Sequence, residues 1–90
     1  MANPVIIACP KNTWTKVATN ITAGQIHDKA SRAEYFQTIR DTGDPAPLNT
    51  DLTEAVAIFN EDKSILIASS IAIDVYIHCQ GDDGKVRVDL

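Results

Sequence analysis

The last twenty residues constrain the fold more than any other part of the chain. From Ile71 to Gln80 two sets of side chains alternate without interruption: Ile71, Ile73, Val75, Ile77 and Cys79 on one side, Ala72, Asp74, Tyr76, His78 and Gln80 on the other. Gly81-Asp82-Asp83-Gly84 then reads as a tight turn, after which Val86, Val88 and Leu90 alternate with charged residues. A period of two is the mark of a strand with one buried face and one wet face. On this reading Asp74, Tyr76 and His78 lie on the solvated side of a C-terminal hairpin.

The rest of the chain follows the same logic in shorter pieces. Val5 to Cys9 is an apolar run stopped by Pro10, and Thr13 to Ile21 places Thr15, Val17, Thr19 and Ile21 on one face. β-Branched residues dominate this stretch, and they lose less in extended backbone than in a helix. Ala23-Gly24 permits a turn before a third strand at Gln25 to Lys29. Ala33 to Asp41 allows two readings, because Ser31 and Glu34 have the spacing of a capping box while Tyr35, Gln37 and Ile39 alternate with Phe36, Thr38 and Arg40. The aromatics and Thr38 favour the strand. Asp41 to Thr50, with Gly43, Pro45 and Pro47, is the longest evident loop, extended and stiffened by proline.

Asp51 to Phe59 is either a capped helical turn or a strand. Ser64 to Ile67 begins another apolar strand, and Ala68-Ser69-Ser70-Ile71 breaks the pattern as a bend or bulge. The spacing predicts one all-β domain over residues 1–90, an antiparallel sandwich or barrel of about eight short strands with little helix.

Composition narrows the classes of function. At 44% apolar and 22% charged residues, the 90-residue chain is that of an ordinary globule and not of a disordered one. Its net charge of −4 comes with eight scattered bases, and a nucleic-acid surface needs several on one face, so no nucleic-acid partner is expected. No apolar run reaches the length of a membrane-spanning helix and nothing near Met1 has the pattern of a signal peptide. The expectation is a soluble protein made in the cytoplasm. Cys9 and Cys79 sit on apolar strand positions as reduced, buried residues, able to meet if their strands are neighbours, with a disulfide between them the less favoured reading.

Candidate chemistry is thin. His27 and Asp28 are adjacent, so on a strand they point to opposite faces. Asp82 and Asp83 are explained by the turn they occupy. Asn20-Ile21-Thr22 matches a glycosylation sequon, a chance match in a chain that is not exported. Ser64, Ser69 and Ser70 have no recognisable His and acid partners. Trp14, Tyr35, Phe36 and Phe59 are core candidates first, although an exposed Trp14 would be a binding anchor. No metal, cofactor or enzymatic activity is expected.

Several segments resemble a known class. Thr13-Trp14-Thr15-Lys16-Val17-Ala18-Thr19-Asn20, Gly24-Gln25-Ile26-His27, Tyr35 to Gly43, Ile73 to Ile77 and Gly84 to Leu90 look like small structural proteins of tailed bacteriophages. The resemblance implies a virion component made in the host cytoplasm, either a head decoration or cement protein or a part of the tail, neck or fibre. It implies the major capsid protein or other virion proteins as partners, and a homo-oligomer with a trimer favoured. It supplies no active site. The surface expected to meet partners is the stiff loop, through Asp44, Leu48 and Asn49, with Ala2 to Pro4 and the strip Asp74, Tyr76 and His78. A carbohydrate- or receptor-binding module is the rival, and it requires an exposed platform at Trp14 or Tyr76.

Overall fold

The alternating segments form six strands: β1 (Val5–Cys9), β2 (Trp14–Asp28), β3 (Glu34–Asp41), β4 (Val56–Ile58), β5 (Ser64–Gln80) and β6 (Gly84–Asp89). The computed structural model describes residues 4–29, 33–59 and 64–90. All six strands belong to one sheet in the order β1-β6-β2-β5-β3-β4, and every ladder between them is antiparallel. No helix occurs among the described residues. The all-β class is as expected, and the strand reading of Ala33 to Asp41 holds.

The strands are fewer and longer than the sequence pattern suggests. Thr13 to Ile21 and Gln25 to Lys29 belong to one continuous strand, because Ala23 and Gly24 pair with Ala68 and Ile67 instead of turning. Gly24 serves a close approach: a Cβ there would stand 2.9 Å from Leu90 Cδ2 and 3.1 Å from the Asp89 carbonyl oxygen. Ser64 to Ile67 and Ile71 to Gln80 likewise merge into β5. Ala68 to Ile71 is an irregularity inside that strand, since Ser69 to Ala72 oppose only Thr22 between the pairs Ile21↔Ile73 and Ala23↔Ala68. Two further register shifts fall at Val17 and at Asn20. Asn20 takes φ +55°, a left-handed conformation that Asn tolerates better than most residues. Bulges bend the strands that carry them; β2 and β5 pair with each other from Trp14↔His78 to His27↔Ser64, and each takes a second partner over part of its length. Near its C-terminal end β2 pairs with β6, while β5 pairs with β3 over Ile73 to Gln80.

Cys9, Val17, Ile26, Tyr35, Ile67, Val75, Ile77, Val86 and Val88 form the apolar core. Tyr35 locks it from β3, donating its hydroxyl to the Lys85 carbonyl and accepting from the Lys85 amide, at 3.0 and 3.1 Å. Trp14 is core, as expected, at 7% exposure. Of the two readings of Asp51 to Phe59, the strand holds at β4, and the stretch before it is not a helical turn but two β-turns, in which the Asp51 and Ala55 amides donate to the carbonyls of Leu48 and Leu52. The capping-box residue Ser31 and the Asn60 to Lys63 loop lie outside the described residues.

Candidate functional site

Along β5 the second face is not wet. Asp74, Tyr76 and His78 are 1%, 2% and 2% exposed, which corrects the expectation of a solvated strip. The ladders place them in rows with partners on both sides: Trp14, His78 and Phe36 in one, Lys16, Tyr76 and Thr38 in the next, then Asp74 beside Arg40. The proline-containing segment 42–55 is tied onto this face. The Trp14 indole Nε1 donates to the Asp51 carbonyl (2.9 Å), and the Trp14 amide donates to Asn49 Oδ1 (3.0 Å). His78 Nε2 donates to the Asn49 carbonyl (3.1 Å), which fixes the ring tautomer and leaves Nδ1 without a partner among the described residues. Pro47 is buried. The Trp14 and His78 rings meet edge-on with centroids 5.0 Å apart.

The six anticipated residues therefore divide into two layers. Asp44, Leu48 and Asn49 are exposed on the outer surface of the segment, with Leu48 at 74%. Asp74, Tyr76 and His78 lie in the layer below. The structure joins Asn49 directly to His78, and it offers only the outer three to a partner. Of the N-terminal stretch, Pro4 is exposed, while Ala2 and Asn3 lie outside the described residues.

One consequence concerns Asn49 and Leu48. Asn49→Ala removes the acceptor of a backbone amide on a buried residue and is expected to cost about 1–3 kcal/mol, whereas Leu48→Ala, at an exposed site, is expected to stay within about 0.5 kcal/mol. Trp14 is the single tryptophan. Its emission reports the state of the cover, and chemical denaturation followed by fluorescence separates the two variants.

Asp74 is the charged member of the inner layer. Its Oδ1 accepts from the Asn20 amide (2.9 Å) and from Thr42 Oγ1 (3.1 Å), and Lys16 Nζ lies 3.5 Å from Oδ2. The Asn20 amide above all, helped by Thr42 and Lys16, holds the carboxyl below its ordinary 3.8 against the opposing effect of burial. Lys16 also sits over the Tyr76 ring, 5.7 Å from its centroid. A folded-state pKa below the unfolded one means that this stabilisation is complete above about pH 5 and disappears as the pH falls through the folded value. Asp74→Asn keeps an acceptor for Asn20 and Thr42 but cannot ionise. We expect it to be less stable than the native chain near neutrality and to lose less on further acidification below about pH 4. Denaturation midpoints across that range test the sign.

A second cluster lies on the other side of β2 and was invisible to local reading. Arg87 grips Asp89 through Nε (3.1 Å) and Nη2 (2.7 Å), and His27 Nε2 reaches Asp89 Oδ2 at 3.0 Å. The Arg87 fork, then His27, depresses the Asp89 pKa. His27 thus finds its acid on β6 and not in its neighbour Asp28. Among the described residues no group of three or more His, Cys, Asp and Glu side chains is placed to hold a metal ion.

Large aliphatic side chains remain on the exterior. Leu66 is 72% exposed, Val56 62%, and Val5, Ile6, Ile71 and Leu90 are each about half exposed. Sequence pattern missed Leu66 because it lies in an apolar run, Ile65-Leu66-Ile67, where Ile67 faces the core. Comparison with family models, with curated proteins and with solved structures found no match.

Proposed function

We propose that this chain is a structural protein of a phage virion, a head decoration or cement protein that stabilises the capsid through protein–protein contacts. The observation that supports the reading is the pairing of open sheet edges with exposed aliphatics. β1 and β4 each have one neighbour, and Val5, Ile6 and Val56 stand exposed on them. Edges of this kind are covered by partners in stable assemblies, and aliphatics exposed on both end strands gain by burial against neighbouring subunits. A homotrimer on the capsid lattice, in contact with the major capsid protein, is the assembly we favour. A carbohydrate-binding module at a tail, neck or fibre is less well supported, because Trp14 and Tyr76 are buried and leave it without its aromatic platform.

The test uses gradient-purified particles of the phage that encodes the chain. Mass spectrometry is expected to find it in many copies, and particles from a deletion mutant are expected to release their genome at a lower temperature. Val56→Lys and Leu66→Asp are expected to lower its copy number while leaving the circular-dichroism spectrum of the isolated chain unchanged. Absence from the particles would overturn the proposal.

A further inference from the structure

Cys9 ends β1 and Cys79 stands one residue from the end of β5, and the two strands share no ladder. Both residues are fully buried. The start of β6 brings them together. Cys9 is the ladder partner of Gly84, and Cys79 arrives over the same glycine from the other side of the turn, so that a Cβ on Gly84 would stand 2.5 Å from Cys79 Sγ. The backbone fixes this approach, because Lys11 bridges Cys79 in parallel and the Asn12 amide donates to the Cys79 carbonyl at 2.7 Å. Residues directly opposite each other in an antiparallel ladder point their side chains to the same face, so Cys9 stands on the face of Gly84 that Cys79 Sγ approaches. The proximity of Cys9, with burial added, pushes the Cys79 thiol up, and the proximity of Cys79 lowers Cys9.

We propose that Cys9 and Cys79 are a redox dithiol that closes to an intramolecular disulfide, with a small-molecule disulfide as oxidant. The inference goes beyond the virion reading and does not depend on it. β1 is an edge strand with three of its five residues exposed, so its local detachment admits the oxidant. The Cys9 thiolate attacks one sulfur of the oxidant, the oxidant's S–S bond breaks, and one thiol leaves with the proton that Cys9 gave up. The Cys79 sulfur then attacks Cys9 Sγ in the mixed disulfide, and the second thiol leaves with the Cys79 proton. Two protein thiols are oxidised and one small disulfide is reduced to two thiols. The new bond closes a loop of about 70 residues and ties the edge strand to β5.

The experiment incubates the reduced full-length chain with oxidised glutathione, then denatures it in maleimide and weighs it intact. The expected product is lighter by about 2 Da, takes up no maleimide, melts about 10 °C or more above the reduced chain, and reverts with dithiothreitol. Cys79→Ser is expected to retain glutathione on Cys9, and Cys9→Ser to stay unmodified. A native chain that still takes up two maleimides, keeps a glutathione adduct, or crosslinks into dimers overturns the proposal. If either variant fails to fold, the mass of the native chain decides alone.

Discussion

A chain ending at Lys85 is expected to lose its cooperative fold. The deletion takes Val86 and Val88 out of the core and removes the ladder partners of Val5, Ile6 and Ile7. It also removes all four partners that β6 offers to β2, Gln25 to Asp28. Since β6 lies between β1 and β2, β1 has no ladder left except at Ala8 and Cys9, and Ile26 is opened to water. Burying one Val side chain contributes about 1.5–3 kcal/mol. Two of them, with the exposure of Ile26, approach the whole stability of a 90-residue domain, which is about 5–13 kcal/mol. Circular dichroism of the truncated chain should lack the sheet signal, and calorimetry should show no transition. A sheet spectrum with a cooperative melt would mean that β1 and β2 find another partner.

How much of this architecture was legible locally depends on what each signal measures. The end of β1 was legible because Pro10 cannot continue a ladder, but its apolar run overstated burial, since Val5, Ile6 and Ala8 are exposed. Segment 33–41 was legible because aromatics and threonine weigh against a helix. Gly24 misled, since glycine marks a turn and a close approach equally well, and only the fold shows Leu90 and the Asp89 carbonyl against it. His27 and Asp89 are 62 residues apart, and spacing carries no trace of such a pair. The two thiols were expected to meet if their strands were neighbours. They meet instead through the gap left by Gly84, a side-chain route that strand adjacency does not describe.

The candidate site was misread for the same reason. A period of two shows that two faces of β5 differ in polarity, and it says nothing about which of them is covered. Asp74, Tyr76 and His78 are polar in composition, yet all three are buried; the segment 42–55 bonds His78 through the Asn49 carbonyl and Asp74 through Thr42, and β2 supplies Asp74 with the Asn20 amide and Lys16. The proline-rich loop looked like the part of the chain least committed to the core. Its inner surface is in fact the second wall of the interior, and only its outer surface, at Asp44, Leu48 and Asn49, is left for partners.

This two-layer arrangement makes Tyr76→Ala the most discriminating substitution. On a solvated strip the change would move stability by no more than about 0.5 kcal/mol. Beneath the cover, with Thr38 and Lys16 as ladder partners and a side chain among the largest that are fully buried, it leaves an aromatic-sized void and is expected to cost about 3–5 kcal/mol. The void would also take the ring from under Lys16 and loosen the seat of segment 42–55. Trp14 fluorescence should therefore shift to the red at denaturant concentrations below the main unfolding transition. Ile39→Ala supplies the comparison, because Ile39 pairs with buried Val75 but is itself exposed, and it is expected to cost much less. If Tyr76→Ala and Ile39→Ala unfold at the same denaturant concentration as the native chain, the strip faces water and the inner layer does not exist. If Tyr76→Ala alone falls, any loss of particle binding it causes is a loss of fold, and the search for contact residues belongs on Leu48, Val56 and Leu66.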